Sequence, residues 1–342
     1  MKYKLLRVNR HGGPEVLEVV ENDLRPPAKG EVRIKVLAAS VSRPDVTVRR
    51  GEALYRGTWL GQKLPFTPGY AVIGAVEAVG EAVRDVAVGA RVGVLTVIGG
   101  YTEYLYWRAD RLIPVPAALD PAEAVPLILN YIVAYQTMHR VAKVRAGEKA
   151  LIIGASGGIG TALLQLGRLA GLKLYAVASQ RKHAILTEYG ATPIDYRTQD
   201  FVAVIRQAEP GGLDVVLDGM MRLEAMRGAL ALLRRGGRLV SFGEPASRGE
   251  LLRILGLALR TRLTPNGKSL SLYGTSTYFL FDQKPYLEDW ATLFQLLVEG
   301  KIKPVITARF PILAAAEANA LLERGDVIGN VVLVAPELPE RR

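Results

Sequence analysis

The residues best placed to do chemistry form one run, Leu151-Ile152-Ile153-Gly154-Ala155-Ser156-Gly157-Gly158-Ile159-Gly160. A strand-like apolar stretch enters it, and a helical pattern over Gly160–Leu169 leaves it. In that setting small residues let the chain turn tightly and bring its backbone close to a pyrophosphate. The first amides of the helix then point at the phosphates. Gly157 and Gly160 stand where the dinucleotide fingerprint requires glycine, while Ala155 replaces its first glycine. A strand–helix turn without a ligand would use similar residues. The strand–helix–strand pattern on both sides favours dinucleotide binding, with Ala155, Ser156, Gly157, Gly158 and Ile159 facing the phosphates.

The next predicted strand, Lys173–Ala178, ends at Ser179-Gln180-Arg181-Lys182. An Asp or Glu at this place would take ribose hydroxyls. A hydroxyl and two cations suit a 2′-phosphate better, so Ser179, Arg181 and Lys182 point to NADPH; a solvated helix start is the plainer alternative. There is no cysteine, which excludes disulfides, thiolate zinc sites, iron–sulfur clusters and a cysteine nucleophile. The histidines are three, His11, His139 and His183, and no metal site is expected.

The elements that must position these residues change character along the 342 residues. Val32, Ile34 and Val36 alternate with Arg33 and Lys35, a half-buried strand. Val72–Val79 and Arg91–Val97 are further strands, and the spacing suggests a barrel or sandwich. Arg43–Arg50 reads as a short helix with Pro44 in its first turn, where Asp45 and Arg49 are spaced to pair. From Asp120-Pro121, a predicted helix start, strands and helices alternate: Ala150–Ile153, Lys173–Ala178, Leu213–Leu217, Arg238–Phe242 and Ser269–Tyr273 are strands, and His183–Tyr189 is a helix. Such alternation predicts a parallel sheet with helices on both faces. A helix from Tyr286 to about Glu299 and strands at Lys303–Phe310 and Val331–Val334 then return to the first domain. The expected division is 1–125 plus 276–342 around an inserted 126–275.

Lys and Arg number 44 against 33 Asp and Glu, a net charge of +11 that attracts anionic partners. The densest basic stretch runs from Arg234, Arg235 and Arg238 through Arg248, Arg253, Arg260, Arg262 and Lys268; Arg253, Leu257 and Arg260 lie at helical spacing. An RNA- or anionic-membrane-binding protein with a vestigial NADPH site is therefore the alternative reading. No run approaches ~18 uninterrupted apolar residues and no signal peptide is evident, so a cytoplasmic protein without a membrane span is expected.

Several stretches together resemble the medium-chain dehydrogenase/reductase superfamily, in its zinc-independent quinone oxidoreductase branch, close to the vesicle amine transport protein homologues. These are Ser42-Arg43-Pro44-Asp45, Leu64-Pro65-Phe66-Thr67-Pro68-Gly69-Tyr70, Gly100-Tyr101-Thr102-Glu103-Tyr104 and Leu129-Asn130-Tyr131-Ile132-Val133-Ala134-Tyr135. The glycine run, Pro193-Ile194-Asp195-Tyr196-Arg197 and Gly329-Asn330-Val331-Val332-Leu333 complete the match, over about residues 3–335. The resemblance implies an α/β fold: a GroES-like β-barrel catalytic domain with an inserted Rossmann domain. It also implies NADPH-dependent hydride transfer to a quinone or α,β-unsaturated carbonyl, and a homodimer. Gly69-Tyr70-Ala71 stands where zinc members carry Gly-His-Glu. Ser42, Val133 and Asn330 depart from the usual Asn, Thr and Lys.

For such a reduction a donor beside the developing enolate would lower the barrier. Ser42, Tyr55 and Tyr70 are the candidate donors, although Ser42 could simply cap a helix and the tyrosines could simply pack. On the cofactor side Tyr196 matches a family tyrosine, and Phe242 and Asn330 join it; Asn130 could face the cleft or be packing between domains, and Gly243 could let the chain pass close to the nicotinamide or form a plain turn. Tyr273, Tyr278, Phe279 and Phe281 could wall a pocket or form core or interface.

Overall fold

A computed structural model describes residues 1–54, 56–57, 61–275, 279 and 282–338. The chain divides into two units, Met1–Leu129 with Lys284–Arg342, and Asn130–Gln283.

The first unit opens with a hairpin of β1 (Lys2–Val8) and β2 (Leu17–Asp23). β3 (Glu31–Val41) follows, then α1 (Arg43–Arg50), β4 (Ala71–Val79), β5 (Arg91–Leu95), β6 (Tyr104–Arg108), β7 (Ile113–Pro114) and α2 (Pro121–Pro126). Val32, Ile34 and Val36 on β3 are buried while Arg33 and Lys35 reach Glu77 and Glu337, so the alternation read from sequence is the inside–outside alternation of the strand. Asp120 caps α2 by accepting from the Ala122 amide at 3.0 Å. The helical path continues through two π-helical turns, Leu127–Tyr131 and Gln136–Ala142, on either side of α3 (Ile132–Tyr135).

The second unit then alternates as expected. β8 (Lys149–Ile153), α4 (Gly158–Leu169), β9 (Lys173–Ala178), α5 (His183–Glu188), β10 (Thr192–Asp195) and α6 (Phe201–Ala208) form its first half. β11 (Leu213–Asp218), α7 (Leu223–Leu232), β12 (Leu233–Ser241), α8 (Arg248–Leu263) and β13 (Ser269–Leu272) form its second. All six strands are parallel, in the order β10-β9-β8-β11-β12-β13. This is the doubly wound dinucleotide-binding order, whose direction reverses between β8 and β11. Its core gathers Leu151, Val177, Ile194, Val216, Met226, Leu239 and Ile254. β12 begins five residues earlier than the periodicity suggests. Arg234-Arg235-Gly236-Gly237 looks like a turn, yet it continues the strand across a register shift.

The chain returns to the first unit with α9 (Lys284–Val298), β14 (Ile306–Pro311), α10 (Ala315–Glu323) and β15 (Asn330–Val334). β14 and β15 extend a sheet ordered β14-β15-β3-β4-β5-β7, with β6 also on β3. The buried Trp290 of α9 donates to the Leu127 carbonyl at 3.1 Å, tying this return to α2. No described helix is long and apolar enough to cross a membrane.

Candidate functional site

In the second unit the site residues gather where the parallel strands end. Register pairs Asp195 with Ala178, Val177 with Ile153, Ile153 with Asp218, Asp218 with Ser241 and Ser241 with Leu272. The loops after β10, β9, β8, β11 and β12 therefore leave one edge of the sheet side by side, with the glycine run at the point of reversal. Ligands bind at this place in open α/β sheets.

Two glycines of the run have a local structural cause, and a third has none. Gly154 has φ +83°, a conformation that suits glycine. A Cβ on Gly160 would lie 2.4 Å from the Gly154 carbonyl oxygen and from the Ala155 carbonyl carbon, so this residue lets α4 pack against the turn. Gly157 differs: its φ of −79° suits any residue, and the nearest atom to a Cβ there is the Gly154 oxygen at 3.9 Å. No side chain caps the start of α4. An uncapped helix N-terminus beneath open space over Gly157 fits a pyrophosphate, whose oxygens would accept from the first amides.

Beyond β9, Ser179 is buried and Arg181 and Lys182 follow in a short 3-10 turn, with His183 Nε2 3.2 Å from the Ala178 carbonyl. Beyond β10, Tyr196 is exposed, 58%, and like Ser179 it is the first residue past the Asp195–Ala178 pair. Its turn is built on Asp195, whose carboxylate accepts from the Arg197 amide at 3.1 Å and from the Thr198 hydroxyl at 3.0 Å. Those bonds, the Arg197 amide foremost, hold the Asp195 carboxyl below its usual range.

The turn after β11 carries residues the sequence reading missed. Buried Asp218 accepts from the amides of Met220 at 2.9 Å and Met221 at 3.1 Å, and from the Ser241 hydroxyl at 2.8 Å. Burial pushes its carboxyl upward against those bonds. The turn includes Met221 at φ +50°, and Met220 Sδ sits 3.6 Å from where a Gly154 Cβ would be. Asp218 thus shapes the rim of the glycine run, and the pair Asp218-Gly219 closing an apolar strand was the available signal. Gly243, expected near the cofactor, has a local reason: a Cβ would meet the Gly219 carbonyl oxygen at 2.7 Å. Phe242 donates its amide to Asp218 and lies with its ring against Gly219. Tyr273 donates to Gln136 at 2.6 Å, and Asn130 is buried in the first π-helical turn.

The first unit holds the other candidates. Ser42 caps α1: its amide and hydroxyl both donate to Asp45 Oδ2, at 2.9 and 2.6 Å. The Gly69 amide donates to Asp45 Oδ1 at 3.0 Å, which fastens the segment leading into half-buried Tyr70. Burial pushes the Asp45 carboxyl up to about 6, opposed by these bonds. The Tyr101 hydroxyl lies beside Asp45 and Asn319 without a hydrogen bond of normal geometry. Asp45 does not pair with Arg49, as the spacing suggested. The helix start needs the carboxylate, and Arg49, fully buried, pairs instead with Glu323 and donates to the Gly12 carbonyl. Asn330 donates its side-chain amide to the Val305 carbonyl at 2.8 Å. Tyr55, Tyr278 and Phe281 lie outside the described residues.

Residues 28–117 match the alcohol dehydrogenase GroES-like domain and residues 189–333 the zinc-binding dehydrogenase family. Mouse (Mus musculus) quinone oxidoreductase is 32% identical over 340 residues, 97% of each chain. The chain belongs to the medium-chain dehydrogenase/reductase superfamily. Within that superfamily it is also similar to the rat (Rattus norvegicus) synaptic vesicle membrane protein VAT-1 homolog, 31% identical over 94% of this chain and 82% of the relative. The structure of mycobacterial Rv1454c complexed with NADPH superposes with a TM-score of 0.81 at 25% identity, covering 97% and 99% of the two chains. The zinc of the second family's description does not fit these residues. The chain has no thiolate, and no three His, Asp or Glu among the described residues cluster to hold a metal ion.

Proposed function

We propose that the protein is an NADPH-dependent reductase of quinones or α,β-unsaturated carbonyls. The observation that carries this reading is the uncapped α4 N-terminus under the open space at Gly157, with cations just beyond β9. Membership of a superfamily that includes quinone oxidoreductases supports it. NADPH, when bound, supplies the hydride.

The chain's own residues bind and orient. The amides following Gly157 hold the pyrophosphate, with Ala155, Ser156, Gly158 and Ile159 shaping the cradle. Ser179, Arg181, Lys182 and Tyr196 receive the adenosine phosphate, and their charge favours the 2′-phosphate over free hydroxyls. Asp218, through Met220 and Met221, is a positioning residue for the rim of that cradle. Asn130, Phe242, Gly243 and Asn330 stay assigned to the cofactor side.

Of the three candidate donors to the enolate oxygen, Ser42, Tyr55 and Tyr70, Ser42 already donates its one hydroxyl hydrogen to Asp45. Asp45 accepts the Ser42 hydroxyl proton and so orients its oxygen as an acceptor. Tyr55 and Tyr70 carry the remaining assignment as proton donors. We also assign a homodimer joined at β13, an edge of the six-stranded sheet, because edge pairing satisfies its open backbone groups.

The test is NADPH oxidation with a benzoquinone, a naphthoquinone, an alkenal and a cyclic enone. Turnover of at least one is expected, and turnover of none would overturn the reading.

A further inference from the structure

We propose that α8 docks the protein on anionic membrane surfaces, independently of the reductase site. Leu252, Leu255, Leu259 and Leu263 follow one another at spacings of three and four, so they stack along one side of the helix. All four are exposed, at 69, 47, 60 and 74%. Ile254, on the opposite side, is the one fully buried residue of α8 and joins the core of the second unit. The leucines are thus not the inner face of an amphipathic helix. They project from a helix already seated on the sheet.

Cations flank this stripe. Arg253 and Arg260 fall on one side of it by helical position, and Arg248 and Arg262 border the other. All four are exposed. The acid of this helix, Glu250, is turned inward and accepts from the Leu223 and Ala246 amides. Beside the Arg253–Arg260 flank an open hollow of about 220 Å³ is lined by Leu257, Arg260, Thr261, Thr264, Asn266 and Lys268. The Thr261 and Thr264 hydroxyls donate to the Leu257 and Arg260 carbonyls, which leaves two cations and an amide to suit a phosphate-bearing headgroup, while the leucines suit acyl chains just below it.

The charge decides between occupants. A second copy would set four arginines against four arginines, which repel across a two-fold axis. A stripe of four leucines on one helix also falls short of the roughly 20–30 residues a side of a stable protein interface. RNA would meet the arginines, but four leucines give it nothing to stack on. An anionic bilayer satisfies leucines and arginines together.

The experiment is co-sedimentation of the whole chain at physiological salt with vesicles of phosphatidylcholine alone or with about 30% phosphatidylserine, a range that gives an appreciable surface potential. The chain is expected to pellet with the anionic vesicles and stay in solution with the neutral ones. Leu255→Ser with Leu259→Ser, and separately Arg260→Glu with Arg262→Glu, should each lower the bound fraction about tenfold. Both variants should melt within a few degrees of the parent, because the altered side chains are exposed. No binding to anionic vesicles, or equal binding by parent and variants, overturns the proposal. So does a leucine variant that only dissociates a dimer, which would give the face to a second copy. Retention of RNA without vesicle binding overturns it too.

Discussion

Gly157→Ala separates what the glycine run does for folding from what it does for a ligand. The backbone at Gly157, φ −79° and ψ 179°, is one that alanine adopts without strain. A new Cβ would have the Gly154 oxygen at 3.9 Å as its nearest neighbour, an ordinary contact. Removing a glycine's freedom from the unfolded chain stabilises by ~0.4–1 kcal/mol, which offsets the similar cost of placing alanine at the N-cap of α4. The same methyl fills the space through which a pyrophosphate would approach the first amides of α4. Losing one charge-assisted hydrogen bond costs ~1.5–3 kcal/mol, so the dissociation constant for NADPH should rise roughly ten- to a hundredfold. Thermal melting without ligand and calorimetric titration with NADPH read the two effects. The expected outcome is a nearly unchanged Tm together with weakened binding. Unchanged NADPH affinity in the Gly157→Ala protein would refute the placement of the phosphates over this residue.

Gly160→Ala should behave in the opposite way: a Cβ 2.4 Å from the Gly154 oxygen forces the turn open, and urea midpoints should show a loss of ~1–3 kcal/mol even without ligand. Asp45→Asn should change the pH dependence of stability. Since burial raises this carboxyl from 3.8 to about 6 on folding, its contribution is greatest below 3.8 and is lost as pH rises through 6. Parent minus variant stability should thus fall by about 1.5 kcal/mol between pH 5 and pH 8 in urea titrations, other groups cancelling in the difference. A flat difference would show that Asp45 is not a buried charge. Lys182→Glu should raise KM for NADPH about tenfold or more over its effect on NADH, read from initial rates with both cofactors; equal effects would remove Lys182 from the 2′-phosphate site.

What the sequence by itself determined is what depends on neighbours in the chain. The glycine run between β8 and α4, the Asp120 cap, the bounds of α1 and the alternation on β3 are all local, because turns, caps and strand faces are set by a few consecutive residues. The sequence order of strands and helices was enough to expect a doubly wound sheet. Only the tertiary structure decided how distant side chains share partners. Asp45 and Arg49 have the spacing of a helical ion pair, but a helix start and Glu323 compete for them more strongly. Asp218 and Ser241 meet because β11 and β12 pair in one register, a fact absent from either segment alone. The leucines of α8 have the pattern of a buried face. Only packing, with Ile254 turned to the sheet, shows that they point outward, because periodicity defines a stripe on a helix but not what covers it.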